Sequence, residues 1–144
     1  MEESKFFPGG RLVLVVDDHP DFCLVMEHLL SGLGFRTVIA SNGHEALKTL
    51  ERQKVFVVLT DLFMPRMDGL ELLKRMQVAD QVMPPVIAVT GDAHVAASSV
   101  GSAAANLGAK TVLIKPFSRD QLAAAISFVT NETFLAKDQT PRPM

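Results

Sequence analysis

Five short apolar runs, each followed by a helical pattern, constrain the fold of this 144-residue chain more than any other feature. The runs are rich in β-branched residues, which is typical of strands buried on both faces of a parallel sheet. They occupy residues 12–16, 37–40, 55–59, 86–90 and 111–114. Strands that alternate with helices predict βαβ units, whose crossovers are right-handed in roughly 98% of cases.

The clearest helical pattern begins near Pro20, a residue suited to the first turn of a helix. Apolar residues then recur at intervals of three and four positions, which predicts a buried stripe. The stripe consists of Phe22, Val25, Met26, Leu29, Leu30 and Leu33. Shorter helical patterns lie at residues 43–50, 69–76 and 122–129. Residues 93–109 are rich in Ala, Ser and Gly and predict a single weak helix with Gly101 in its interior.

We therefore predict an α/β fold with a doubly wound five-stranded parallel sheet and helices on both faces. The strand order 2-1-3-4-5, one of the common orders for such sheets, would place strands one and three side by side. The domain is expected to span residues 11–130, between an extension at residues 1–10 and a polar tail at residues 131–144.

Composition and charge exclude several classes of protein. The net charge is −2 and the pI about 6.1, so we expect no general affinity for nucleic acid or for anionic membranes. No apolar run approaches the length of a membrane span, and the acidic N-terminus does not resemble a secretory signal. The single Cys23 cannot form an internal disulfide. We expect a cytoplasmic protein that is a monomer or a weak dimer.

Polar residues that could take part in a reaction lie at the carboxyl ends of four of the five predicted strands. Asp17 and Asp18 follow the first strand, Asp61 the third, Thr90 ends the fourth, and Lys115 follows the fifth. In open α/β sheets, ligands bind at this carboxyl edge, where the strand order reverses. The order 2-1-3-4-5 would therefore bring three carboxylates, a hydroxyl and an ammonium into one small pocket.

Three neighbouring carboxylates repel one another unless a cation lies between them. Mg²⁺ prefers carboxylate oxygens and keeps several of its waters, so it suits a sparse site with positions open to a substrate oxygen. A carboxylate nucleophile beside a metal, an ammonium and a hydroxyl fits phosphoryl transfer, which depends on positioning and on neutralising charge.

With these residues in place, the chain resembles the receiver domain of a two-component response regulator, with its flavodoxin-like fold. Several sequence segments carry the resemblance, and they span most of residues 11–130. The segments are VVDD at residues 15–18, NGHEAL at 42–47, DLFMPRMDG at 61–69, VTG at 89–91 and IKPF at 114–117.

The resemblance implies that Asp61 accepts a phosphoryl group from a sensor histidine kinase or a histidine phosphotransfer protein. It also implies that Lys115 and Thr90 each contact a phosphoryl oxygen and that the Lys115–Pro116 peptide is cis. The implied Mg²⁺ ligands are Asp18, Asp61 and the backbone carbonyl of Phe63, with Asp17 acting largely through water.

Other polar and sulfur-containing residues near these motifs have simpler interpretations. Asp68 directly precedes a helical pattern and is expected to be an N-cap. His19 lies beside the acid pair, which suggests a metal ligand, but no two of the four histidines have metal-ligand spacing, and we expect His19 to be a solvent-facing loop residue. Cys23 is expected to be structural, and Met64 and Met67 to pack the loop after the third strand.

Two features depart from the family pattern. Receiver domains commonly carry Tyr or Phe three residues before the lysine, where this chain has Val112. The segment between Thr90 and Lys115 is also a few residues longer than usual. Both departures fall on the output surface and leave the predicted phosphorylation site unchanged.

Several functions remain open from the sequence. The leading hypothesis is a phosphorylation switch that catalyses its own phosphoryl gain and loss, with output by docking to an unknown partner or by relay. The chain is alternatively a fragment of a larger regulator or hybrid kinase, or a scaffold that has lost phosphorylation. An aspartyl-phosphate hydrolase would carry a second Asp at the position of Phe63. A flavin carrier would need a phosphate-binding loop where Asp17 and Asp18 stand.

Overall fold

The computed structural model describes residues 10–64, 66–79 and 82–132. Its five strands form one parallel sheet in the order β2-β1-β3-β4-β5, which confirms the predicted topology. The strands are β1 (Leu12–Val16), β2 (Arg36–Ala40), β3 (Val57–Asp61), β4 (Val86–Thr90) and β5 (Ala109–Ile114). Most of the predicted extension and tail, residues 1–9 and 133–144, lies outside the described residues.

Helices connect the strands and cover both faces of the sheet. They are α1 (Pro20–Gly32), α2 (Gly43–Arg52), α3 (Gly69–Gln77), α4 (Ala93–Ala96), α5 (Ser99–Asn106) and α6 (Arg119–Thr130). None of the helices among the described residues has the length and apolar character needed to cross a bilayer.

Alternating side chains of the strands feed two separate cores. In β1, Val13 and Val15 pack on one face of the sheet, against the buried residues of α1 and α6. Leu14 and Val16 pack on the other face, against α2, α3 and α5. The central strands β1, β3 and β4 are buried along their whole length, as expected for a sheet with helices on both faces.

The single weak helix predicted over residues 93–109 is wrong, because the chain forms two shorter helices there. The Ser98 hydroxyl accepts a hydrogen bond from the backbone N–H of Val100 at 3.1 Å, which starts a new helix at that point. Gly101 lies against the backbone of Ala96, where any Cβ would overlap the carbonyl. A stretch of small residues thus allows a close turn between two helices, where a helical pattern alone predicts continuity.

Two smaller predictions also need correction. Val25, assigned to the buried stripe of α1, is 53% exposed, whereas Met26 and Leu30 of the same stripe are fully buried. The third strand begins at Val57 and not at residue 55, so that it ends on Asp61, which lies opposite Val89 of β4 in the sheet register. This shift makes Asp61 the last residue of a buried strand.

Gly69 is the first residue of α3, and it packs closely against the backbone at the carboxyl edge of the sheet. A Cβ at Gly69 would overlap the carbonyl oxygen of Asp61 and lie 2.9 Å from the Cα of Leu62. We expect Gly69→Ala to lower the free energy of unfolding by roughly 1–3 kcal/mol, the usual cost of overpacking. Gly91→Ala is the control, because a Cβ there meets no atom within 4 Å. Equal denaturant midpoints for the two variants would contradict the close packing at Gly69.

Candidate functional site

The carboxyl edge of the sheet brings together the residues predicted to form the site. The register places Val16 of β1 beside Thr60 of β3 and Thr90 of β4 beside Ile114 of β5. The residues that follow these positions therefore reach the same edge. Oxygen atoms of Asp17, Asp18 and Asp61 lie within 4.8 Å of one another, together with a ring nitrogen of His19.

Asp17 is the most buried acid of this group, with 1% of its side chain exposed. Its Oδ2 accepts a hydrogen bond from Nζ of Lys115 at 2.9 Å. Its Oδ1 accepts one from the backbone N–H of His19 and lies 2.9 Å from the His19 ring nitrogen Nδ1. Burial by itself would raise the pKa of Asp17, but the hydrogen bonds from Lys115 and His19 outweigh it and lower the pKa. Asp17 is therefore held as a carboxylate.

Lys115 connects Asp17 to Asp61. Its Nζ lies 2.9 Å from Oδ2 of Asp17 and 3.6 Å from Oδ2 of Asp61. The same ammonium lies 4.1 Å from the ring centroid of Phe22 in α1, a cation–π contact that restricts its position. The backbone N–H of Lys115 donates to the carbonyl oxygen of Thr90, and the Lys115–Pro116 peptide is cis, as expected.

Asp61 is buried like Asp17, with 7% of the residue exposed. Its charge is less well compensated than that of Asp17. Its Oδ1 accepts a hydrogen bond from the backbone N–H of Phe63 at 3.1 Å. Burial raises the pKa of Asp61 above its usual value, and the Phe63 N–H and the Lys115 charge only partly offset that effect. This carboxylate belongs to the last residue of the buried strand β3.

Asp18 supplies the clearest indication of a cation site. Its Oδ1 is buried and has no hydrogen-bond partner, although Nδ1 of His19 lies 3.3 Å away in an orientation that does not form a directed bond. A buried carboxylate oxygen without a hydrogen bond is costly, and a hard divalent cation removes that cost. The acidic cluster therefore fits Mg²⁺. The side chain of Phe63 is 52% exposed, and a ligand role for its carbonyl remains a prediction.

Thr90 lies at the end of β4 with 1% exposure. Its hydroxyl oxygen accepts a hydrogen bond from the backbone N–H of Asp92 at 3.2 Å, which ties it to the loop before α4. The side chain of Asp92 in turn accepts from the N–H of His94 and caps α4. Any movement of the Thr90 hydroxyl would therefore be transmitted to this loop, while its contact with a phosphoryl group remains a prediction.

The structural roles predicted for the neighbouring residues are confirmed. Asp68 caps α3 by accepting a hydrogen bond from the N–H of Glu71. Met64 and Met67 are buried in the loop after β3. Cys23 is buried, and burial together with the nearby charge of Asp17 raises the pKa of its thiol to about 11, so it is unreactive.

Sequence reasoning missed two residues that contact the site. His19 is exposed, as expected, but its ring contacts the acids, and hydrogen bonding to Asp17 raises its pKa. Phe22 was assigned to the stripe of α1, yet its ring also meets Lys115 and packs edge-on against Phe117. The position of Phe22 one turn after the acid pair was the only available signal.

The parallel sheet, with clustered acids and a lysine at its carboxyl edge, matches the arrangement expected from the resemblance to receiver domains. A family model described as the response regulator receiver domain matches residues 13–127. The chain belongs to this family, which favours the receiver over the flavin carrier and the hydrolase.

Relatives and solved structures agree with that assignment. The chain is 38% identical to transcriptional regulatory protein ZraR of Klebsiella oxytoca over 87% of its own length and 27% of that protein. It thus spans about a quarter of this larger relative. It is 32% identical to sporulation initiation phosphotransferase F of Bacillus subtilis, over 79% of this chain and 89% of that one.

Among solved structures, the receiver domain of a sensor histidine kinase from Pseudomonas aeruginosa is similar in fold, with a TM-score of 0.76 and 27% identity. The alignment covers 85% of this chain and 99% of that one. That crystal structure has a magnesium ion coordinated in its active-site cleft.

The opposite pKa shifts of Asp61 and Asp17 predict opposite effects of neutralising them in metal-free protein. The pKa of Asp61 is raised in the folded state, so the stability linked to its protonation is lost as the pH rises through that pKa. Asp61→Asn should therefore raise Tm near pH 7 in EDTA, and the difference from wild type should shrink as the pH falls through the pKa of Asp61.

Asp17→Asn is the matched comparison. The pKa of Asp17 is lowered, so its stabilising contribution is present above its usual value of 3.8 and lost only as the pH falls through the lowered pKa. This variant should lower Tm near neutral pH. Circular dichroism melts over a pH series measure both effects. Tm shifts of the same sign for the two variants would contradict the opposite pKa shifts of Asp61 and Asp17.

Proposed function

We propose that Asp61 accepts a phosphoryl group from the phosphohistidine of a sensor histidine kinase or a histidine phosphotransfer protein. The observation that carries the proposal is the position of Lys115, whose ammonium lies 2.9 Å from Asp17 and 3.6 Å from Asp61. This arrangement leaves Asp61 buried, less compensated than Asp17, and beside a cation that can bind a phosphoryl oxygen.

The reaction needs little covalent chemistry from the protein. An oxygen of Asp61 attacks the phosphorus, the P–N bond to the donor imidazole breaks, and the imidazole leaves with the bonding electron pair. Lys115 neutralises one phosphoryl oxygen, and the Thr90 hydroxyl donates a hydrogen bond to another. Mg²⁺, when bound, neutralises further charge on the transferred group. Its proposed ligands are Asp18, Asp61 and the Phe63 carbonyl, with Asp17 acting through water.

We propose that the phosphorylated form acts in the cytoplasm by docking to a partner or by passing the phosphoryl group onward. The relative from Bacillus subtilis is named a phosphotransferase, which supports the relay route, and the relative from Klebsiella oxytoca is named a transcriptional regulatory protein.

Replacing the acceptor should abolish phosphorylation without unfolding the domain. Asp61→Asn removes the nucleophile, so the variant should gain no phosphoryl mass on incubation with acetyl phosphate and Mg²⁺. Asp68→Asn is the matched control, because Asp68 lies in the same loop but caps α3. Intact-mass spectrometry measures both. Labelling of the Asp61 variant at the wild-type rate would show that another residue is the acceptor.

Magnesium should stabilise the fold through the acidic cluster. A ligand that binds only the native state adds about 2.7 kcal/mol at 100 times its dissociation constant. Tm should therefore rise with Mg²⁺ in wild type, and Asp18→Asn should blunt the rise. Asp21→Asn, an exposed acid on α1, should respond like wild type. Calorimetry or circular dichroism is needed, since the chain has no Trp or Tyr. A wild-type Tm that ignores millimolar Mg²⁺ would count against the site.

We propose that phosphorylation is transmitted through Thr90 and the segment that contains α4 and α5. Val112 is β-branched and half-buried beneath this segment. Its side chain is too short and too restricted to move between two positions as a Tyr or Phe ring at this place could. No residue of α4 is buried, and α5 buries only Gly101 and Ala104. So little buried area makes the segment easy to rearrange.

Hydrogen exchange on protein loaded with beryllofluoride, a mimic of the aspartyl phosphate, should change most between Gly91 and Gly108. Thr90→Ala should lose most of that change, because it removes the hydroxyl that binds the Asp92 N–H. Val112→Ala should lower stability by creating a small cavity but keep the change. A wild-type response in the Thr90 variant would contradict this mechanism.

A further inference from the structure

We propose that His19 is a metal ligand of the acidic site, and that its Nδ1 gives the site a preference for divalent transition metals over Mg²⁺. This inference rests on the proposed metal site and adds a residue to it. The sequence predicts only a solvent-facing loop position for His19. As a metal ligand, His19 would influence which ion the site binds.

The ring nitrogen of His19 forms a hydrogen bond with Asp17 in the metal-free site, and its distances to the acids also match those between neighbouring ligands on one ion. In octahedral coordination with metal–ligand distances of roughly 2.0–2.1 Å, adjacent ligand atoms lie about 2.9 Å apart. Nδ1 of His19 lies 2.9 Å from Oδ1 of Asp17 and 3.3 Å from Oδ1 of Asp18. The nitrogen and one oxygen from each of three acids also lie within 4.8 Å of one another. A single ion can therefore contact His19 and the acids with only small side-chain movements.

The local backbone shows that the ring is not used to begin the helix. His19 occupies the N-cap position of α1, yet its side chain makes no capping hydrogen bond. Side chains at this position usually accept from the first N–H groups of the helix. Here the backbone N–H and the ring of His19 both lie against Asp17. The residue is thus oriented toward the acids from both its backbone and its side chain.

The buried Oδ1 of Asp18 also favours a cation next to the His19 ring. It has no hydrogen-bond partner and lies beside Nδ1, so the two groups form an incomplete pair that a cation would complete. Binding requires Nδ1 to give up its proton, and Nε2 then carries the ring hydrogen. Because 67% of the His19 side chain is exposed, solvent can exchange these protons.

Ligand chemistry then sets the preference. Imidazole nitrogen suits Co²⁺, Ni²⁺ and Zn²⁺, whereas Mg²⁺ favours oxygen ligands and retains water. Three carboxylates accommodate Mg²⁺ without the histidine. Loss of the ring should therefore weaken transition-metal binding more than it weakens Mg²⁺ binding.

The test compares Co²⁺ and Mg²⁺ binding to the full chain by isothermal titration calorimetry at about pH 8, where imidazole is available as a ligand. The variants are His19→Gln, which keeps a polar side chain, and His28→Gln, which replaces an exposed histidine elsewhere on α1. Loss of an outer-shell partner already costs roughly 10–100-fold in affinity, so His19→Gln should weaken Co²⁺ at least about tenfold. Mg²⁺ affinity should fall by a clearly smaller factor than Co²⁺ affinity, and His28→Gln should match wild type.

The visible absorption of bound Co²⁺ provides a readout that a purely structural role of His19 would not alter. Replacing a nitrogen ligand by oxygen should shift the Co²⁺ bands in His19→Gln and not in His28→Gln. Unchanged bands, or a parallel loss of Co²⁺ and Mg²⁺ affinity, would overturn the role of His19 while leaving the metal site intact. Failure of the wild type to bind either ion would instead overturn the proposed metal site itself.

Discussion

The Lys115 ammonium is the interaction on which the rest of the site depends. Two of the three acids at the carboxyl edge are almost fully buried, and buried carboxylates are stable only with compensating charge. Lys115 compensates Asp17 directly at 2.9 Å and Asp61 at 3.6 Å. Its own position is fixed by the Phe22 ring and by a backbone hydrogen bond to Thr90. The strand order matters to function because it delivers this lysine from β5 across to the acids of β1 and β3.

The sheet and most of the site were predictable from the sequence because buried parallel strands leave a strong local signal. Apolar β-branched runs give way to polar residues near the carboxyl end of a strand, and in this fold each strand ends at the ligand-binding edge. Asp17, Asp61 and Thr90 follow or end such runs, so their convergence followed from topology alone. The cap formed by Asp68 was predictable for a similar reason, since N-caps depend on neighbouring residues.

Features that depend on contacts between distant side chains were not predictable in this way. The break between α4 and α5 arises from the Ser98 cap and from the close approach of Gly101 to the Ala96 backbone. The exposure of Val25 depends on which part of the helix surface the sheet covers, and periodicity does not fix that. The contacts of His19 and Phe22 with the acids and the lysine depend on side-chain direction, which spacing does not encode.

The difference between Asp17 and Asp61 explains how neighbouring acids can serve different purposes. Asp17 has both oxygens occupied by directed hydrogen bonds, which outweigh burial and hold it ionised as a fixed charge. Asp61 has one backbone donor and a more distant ammonium, so burial dominates and its electron pairs are less stabilised. Lys115 lies nearer to Asp17 than to Asp61 and therefore compensates Asp17 more fully, which suits the acceptor role proposed for Asp61.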